Sequence, residues 1–376
     1  MSQITRVPCV IMRGGTSKGV FLRKNHLPAD PKERDEWILK IFGSPDQRQI
    51  NGLGGGTAVT SKLAIIDAPS RKDVDIDYLF GQVSLEDKEI DYTPTCGNIA
   101  TAVGLYAAEE GYVKLVEPIT VVRIYNSNIN KIIEVEIPVK NGEIQYEGDF
   151  EIDGVPGTAS KIMVNFLDSG GAITGHLLPT GHVLDAIQID DGRTYHVSVI
   201  DSANVVSFVS AEQLNIKGTE IGDAFNQPEL LDTLEKIRVE IGHKIGLIPD
   251  KKQASPASHA LPKIAVVSPP QSYISSNNKP IDQADIDIVG RYVAMGKLHQ
   301  AFAVSGGIAI ATGAQIPGTI IHSMVDTSKK GSINIGHPSG MITVEGQVDQ
   351  KDGNYIVTRA AIGRTARRIM EGYTLV

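Results

Sequence analysis

The sequence predicts an α+β protein, rich in strands and built of two related halves. Three observations carry that prediction. Short runs of β-branched and apolar residues recur between turn residues, as at 119–125 and 131–137. The stretch Cys96-Gly97-Asn98-Ile99-Ala100-Thr101-Ala102-Val103-Gly104 is matched in pattern by Ser305-Gly306-Gly307-Ile308-Ala309-Ile310-Ala311-Thr312-Gly313, 209 residues later, which points to an internal duplication. Finally, 376 residues exceed what one hydrophobic core usually supports. Two domains are therefore expected, at 1–184 and 185–376, with the last strand free to return to the first.

Composition narrows the function. A net charge of −8 argues against nucleic-acid and anionic-membrane partners, so an anionic ligand would have to be met by local positive groups. The start, Met-Ser-Gln-Ile-Thr-Arg-Val-Pro, has no signal-type apolar core, and no apolar run approaches the ~20 residues of a membrane span. A cytoplasmic location is expected. Two cysteines make a disulfide framework improbable and a thiol with a chemical task easier to believe.

In chain order, 7–12 reads as a buried strand in which Cys9 is inert core. Arg13-Gly14-Gly15-Thr16-Ser17-Lys18-Gly19 follows, a polar loop suited to meeting an anion through N–H groups and the Thr16 and Ser17 hydroxyls. It lacks the spacing of a P-loop, and a plain hairpin turn is the alternative. A helix is expected over 31–42, capped near Asp30. Four glycines within 52–56 would let backbone approach a ligand, and Lys62 opens a buried strand at 63–66. A lysine there should have a depressed pKa and serve as a base, unless its side chain snorkels to water. Strands at 77–83 and 89–92 feed the Cys96 turn. There a thiol at a helix start should ionise more readily, with room for a carboxylate beside it.

Further strands are expected at 161–166, 185–189 and 195–201, with a loop from 170 to 181 between the halves. A core helix spans 229–246. The strand at 263–267 occupies the place that 63–66 holds in the first half, and a second helix is expected over 282–295. The chain then enters the Ser305 turn, a second helix start able to converge on the same anion as the first. Gly336-His337-Pro338-Ser339-Gly340 is a tight polar loop, a candidate carboxylate nest. His299 and His337 could titrate near neutrality or simply hold turns. None of the nine histidines shows ligand spacing with a cysteine or carboxylate, so no metal is expected, and with no dinucleotide fingerprint either, no other cofactor is expected.

An amine, a thiol, a hydroxyl and glycine loops suggest proton transfer on a small carboxylate, with helix N-termini holding enolate-like charge. The two helix starts resemble the diaminopimelate epimerase fold. More closely, Met12 to Gly19, Gly43-Ser44-Pro45-Asp46, Thr60-Ser61-Lys62, Cys96-Gly97-Asn98, Leu178-Pro179-Thr180-Gly181 and Gly336 to Gly340 resemble the PrpF family. That family includes 2-methylaconitate cis-trans isomerase, methylitaconate Δ-isomerase and 4-oxalomesaconate tautomerase. The resemblance covers essentially the whole chain.

It implies two similar domains, each a mostly antiparallel sheet or barrel around a central helix, with the active site between them. By position it implies Lys62 and Cys96 as catalytic residues. Arg13, Thr16, Ser17, Gly97, Asn98, Ser305, Gly306, His337 and Ser339 fall on segments lining a carboxylate site. Serine in place of the second epimerase cysteine, at Ser305, speaks against a two-thiol epimerase. The expected reaction is a cofactor-independent 1,3-allylic shift of a C=C bond in a branched unsaturated di- or tricarboxylate. Lys62 would take the proton, and Lys62 or Cys96 would return it, unless Cys96 only orients the substrate. An oxalomesaconate tautomerase, an amino-acid epimerase and a non-catalytic carboxylate-binding protein are the alternatives. A homo-oligomer is compatible with this reading.

Overall fold

The computed structural model describes residues 4–92, 95–254, 261–294, 296–326 and 331–376. Thr93 and Pro94, ahead of Cys96, and Met295 lie outside the described residues. The chain divides into two compact units, Met1–Leu167 with Gly363–Val376, and Asp168–Ile362. The first cut thus falls before the 170–181 loop rather than after it. Asp201 supplies the reason: its carboxylate accepts N–H bonds from Ile173 and Thr174, and its carbonyl accepts one from Gly171. These bonds tie the loop to the second unit.

In the first unit β1 (Arg6–Gly14) turns tightly into β2 (Ser17–Arg23), and α1 (Pro31–Phe42) follows. Asp30 caps α1 by accepting from the Glu33 N–H at 2.9 Å, satisfying one of the helix's unpaired donors. Then come β3 (Lys62–Asp67), β4 (Ile76–Val83), α2 (Gly97–Glu109), β5 (Ile119–Asn126), β6 (Lys131–Lys140) and β7 (Ile162–Phe166). Ladders run antiparallel from β1 to β2, parallel to β3, antiparallel to β4, parallel to β5, then antiparallel to β6 and β7. The sheet wraps α2, whose residues from Ile99 to Ala108 are all buried. Fully burying Ile99, Val103 and Leu105 contributes about 1.5–3 kcal/mol each. Gly104 sits where a Cβ would stand 2.4 Å from Val135, so glycine lets β6 lie against the helix.

The second unit repeats this scheme. Its elements are β8 (Asp185–Gln188), β9 (Thr194–Asp201), β10 (Val205–Ser210), α3 (Pro228–Lys244), β11 (Lys263–Ser268), β12 (Ile288–Ala294), α4 (Val304–Ala314), β13 (Ser332–His337), β14 (Gly340–Lys351) and β15 (Asn354–Arg364). From β9 to β15 the ladders run antiparallel, parallel, antiparallel, parallel, antiparallel and antiparallel, the order found from β1 to β7. The buried helix occupies the same place in both, after the fourth of these strands. The last strand, β16 (Ala366–Leu375), pairs antiparallel with β1 and so belongs to the first unit.

One expected element is wrong. The segment 282–295 contains strand β12 rather than a helix. Ile286, Val289 and Val293 have helical spacing, but Ile288 to Val293 are buried without a break between β11 and β13. A strand covered on both faces has no alternation to reveal it.

Candidate active site

The site is built on the start of α2. Cys96 is its N-cap residue, in extended conformation (φ −137°, ψ 104°), with its carbonyl accepting from the Ala100 N–H at 2.9 Å. The thiol therefore sits beside the N–H groups of Gly97, Asn98 and Ile99, which have no acceptor within the helix. No acidic residue occupies the first turn. The approach to Cys96 is held by two asparagines. Asn126 donates to Thr95 Oγ1 at 2.6 Å, while Asn128 bridges the Phe80 backbone and the Tyr92 carbonyl.

The expected Arg13–Gly19 loop is the hairpin turn of β1 and β2, with Arg13 paired to Lys18 and Gly14 to Ser17. Its glycines serve close approach. A Cβ on Gly14 would stand 2.0 Å from the Asn98 carbonyl oxygen, and one on Gly15, at φ +50°, would stand 2.1 Å from Asn98 Oδ1. The turn clasps Asn98, whose Nδ2 donates to Thr16 Oγ1 at 3.0 Å and leans toward Ser17 Oγ at 3.4 Å. Arg13 Nη1 donates to the carbonyls of Gly15 and Thr365 and to Thr365 Oγ1, fixing the turn to the strand beyond it.

Lys62 opens β3. Its Nζ donates to Gln82 Oε1 at 2.8 Å and lies 5.1 Å from the centre of the Phe80 ring. Gln82 is itself held by the carbonyls of Ala58 and Ser61. Tyr78, Phe80 and Gln82 alternate onto one face of β4. Burial pushes the Tyr78 phenol well above its ordinary pKa, and the charge of Cys96 adds to that. One strand face thus carries both the group that feels the thiol and the groups that hold the amine. Gly19 gives the same result, since a Cβ there would meet both the Lys62 carbonyl oxygen and Ile99 of α2.

The glycines of 52–56 do not open toward a ligand. A Cβ on Gly54 would overlap the Gln49 side chain, and one on Gly52 the backbone of Phe42 and Gly43. The buried Gln49 amide organises this loop, accepting from Gly56 N–H and Ser61 Oγ.

In the second unit, α4 begins at Val304, so Ser305 lies inside its first turn rather than at the cap. Its hydroxyl is hydrogen-bonded to the fully buried Tyr292. Gly306 is buried, with Tyr292 and Phe302 where a side chain would stand. His337 is a buried residue at the end of β13, its Nδ1 3.4 Å from Ser339 Oγ and its carbonyl accepting from Tyr273. His299 holds a turn, Nδ1 accepting from the Ala301 N–H at 3.1 Å, and burial pushes its imidazole down. Among the described residues, no three His, Cys, Asp or Glu side chains gather as metal ligands.

The residue missed in the sequence is Arg364, only 8% exposed at the end of β15. Its Nε donates to Asn98 Oδ1 at 3.0 Å and Nη1 to the Gly363 carbonyl at 2.9 Å. Burial pushes it down to about 10, opposed by the charge of Cys96. Its signal was an arginine inside the small and apolar run from Ala360 to Ala366.

Comparison with known proteins bears on this geometry. The family model described as "PrpF protein" matches residues 4–376. The 3-methylitaconate isomerase of Eubacterium barkeri is 46% identical over 379 residues, covering 100% of this chain and 98% of that one. The 2-methyl-aconitate isomerase of Shewanella oneidensis is 37% identical, covering 99% and 97%. The crystal structure of a methylitaconate-delta-isomerase matches with a TM-score of 0.92 at 46% identity, over 100% of this chain and 96% of that one. A hydroxyproline epimerase from Agrobacterium vitis shares the fold at a TM-score of 0.55 and 11% identity, over 100% and 93%.

Proposed function

The chain belongs to the PrpF family and is an isomerase, and from that premise we propose that it moves the C=C bond of a methylitaconate-type branched dicarboxylate by allylic proton transfer. The reading is supported by Lys62 Nζ being held at Gln82 and Phe80, on the strand face whose Tyr78 feels the Cys96 thiol, in a chain 46% identical to a 3-methylitaconate isomerase. Lys62 removes the proton from the carbon next to the alkene. The electron pair spreads over the three-carbon system and the attached carboxylate as a dienolate. The unpaired N–H groups of α2 stabilise that charge. Lys62 or Cys96 then delivers a proton to the far carbon, and the double bond has moved with no net gain or loss of atoms.

Gln82 and Phe80 restrict the amine to one position, which is what a proton transfer over a short distance needs. This chemistry asks only for a base, an acid and anion-stabilising donors, which supports a cofactor-independent enzyme. Two cysteines, both free of disulfides, support a cytoplasmic one. Methylitaconate is favoured over 2-methylaconitate by the higher identity, 46% against 37%.

The test is proton NMR in D₂O with methylitaconate, 2-methylaconitate and 4-oxalomesaconate in separate tubes. Product with deuterium at the allylic position in the methylitaconate tube is the expected result. Lys62→Ala should lower turnover by roughly 10²–10⁴-fold with the fold intact. Turnover near wild type in that variant, or no product from methylitaconate, overturns the assignment.

A further inference from the structure

Three arginines are buried among the described residues, and they are satisfied differently. Arg238 makes a two-point ion pair with Glu235, at 2.7 and 2.6 Å. Arg291 donates to the carbonyls of Glu220, Thr219, Gly290 and Gly336. Among the described residues Arg364 has two acceptors, both neutral, Asn98 Oδ1 and the Gly363 carbonyl, for a guanidinium with five N–H groups. No carboxylate pairs with it among the described residues. Among the described residues its Nη2 group has no hydrogen-bond partner. A buried cation without a counter-charge is unfavourable in the free protein and is rarely retained unless an anion completes it.

We propose that Arg364 binds one carboxylate of the substrate through its free Nη2 edge, with Asn98 as the positioning residue that aims it; this rests on the isomerase reading above. The clasp is consistent in its details. Asn98 holds the guanidinium with a neutral amide oxygen, so the positive charge is left for a ligand; an aspartate there would cancel it. Gly14 and Gly15 exist without side chains where Asn98 presses on the hairpin. Arg13 bonds Thr365, the neighbour of Arg364, to the same turn. Cys96 is the titratable group that acts on Arg364. A carboxylate on Arg364 and on the N–H groups of α2 therefore places its adjacent carbons next to the thiol.

The experiment is calorimetric titration with 2,3-dimethylsuccinate, a saturated diacid that cannot isomerise, into wild type, R364K, R364M and N98D. Thermal unfolding and turnover are measured in parallel. Losing a charge-assisted carboxylate contact should weaken binding by roughly 10- to 100-fold in R364M and N98D, with partial rescue in R364K. Both weak binders should keep or raise their melting temperature, because R364M removes the uncompensated buried charge and N98D pairs it. The diacid should raise the melting temperature of wild type and not of R364M.

Wild-type binding in R364M and N98D overturns the proposal, as does a wild type that does not bind the diacid. A large loss of melting temperature with unchanged binding would make Arg364 structural and overturn it too. Should wild type bind the diacid through Arg364 and isomerise no unsaturated acid, the isomerase reading falls and the carboxylate site stands.

Discussion

Replacing Gly15 by alanine measures how closely the hairpin must hold Asn98. At φ +50° the alanine itself costs about 1 kcal/mol. Its Cβ would stand 2.1 Å from Asn98 Oδ1 and 2.6 Å from Asn98 Cγ. Only rotation of the Asn98 side chain relieves that overlap, and rotation breaks the 3.0 Å bonds to Thr16 and Arg364. The neutral bond contributes about 1 kcal/mol and the charge-assisted one about 1.5–3 kcal/mol. The sum is about 4 kcal/mol, a large part of a typical stability of 5–15 kcal/mol but not all of it. Urea unfolding should show a lower midpoint at unchanged slope, and initial rates on a folded sample should fall with it. Gly14→Ala should be worse, since its overlap is with the Asn98 backbone oxygen, which cannot rotate away. If Gly15→Ala unfolds within about 0.5 kcal/mol of wild type and turns over normally, the clasp does not constrain Asn98.

Other predictions follow from the same contacts. Gln82→Leu frees Lys62 Nζ from its 2.8 Å acceptor, so kcat should fall roughly 10- to 100-fold; an unchanged kcat means that Gln82 does not place the amine. Arg291→Met strands four carbonyls in the second unit and should cost about 3–5 kcal/mol in urea unfolding, the opposite of what Arg364→Met is expected to do. The His299 imidazole is pushed down by burial, so near pH 6.5 the unfolded chain binds the proton more readily than the folded one. Its contribution is fully present above the unfolded pKa and is lost as pH falls through and below it. The melting temperature should drop from pH 7 toward pH 5, and His299→Asn should flatten that slope.

Much of this was legible in the sequence because local chemistry decided it. Asp30 before Pro31 and Gly43 after Phe42 bracket α1 with the residues a helix end requires. Cys96 before an unbroken small and apolar run marked a buried helix start, and its echo at Ser305 disclosed a repeat that the ladder order of β9 to β15 restates. What was illegible depended on distant partners. The segment 282–295 looked helical because a strand buried on both faces loses the period that identifies it. The 52–56 glycines suggested a ligand, whereas their neighbour is Gln49, whose amide stands in the space. Arg364 lies in no motif and meets Asn98 across 266 residues of chain, a pairing that no local pattern predicts.

The first unit is discontinuous in sequence, with β16 lying beside β1. During synthesis the second unit, one uninterrupted segment, is complete before Gly363 has been added. Through that interval β1 lacks its neighbour on one side, and its unpaired backbone groups are an edge open to wrong partners. Arg364 and Thr365 arrive with the strand that closes this edge. Until that strand arrives, the first unit lacks the arginine proposed to grip an acid. A chain truncated after Ile362 should fold its second unit and expose β1 to protease, and the full chain should protect it.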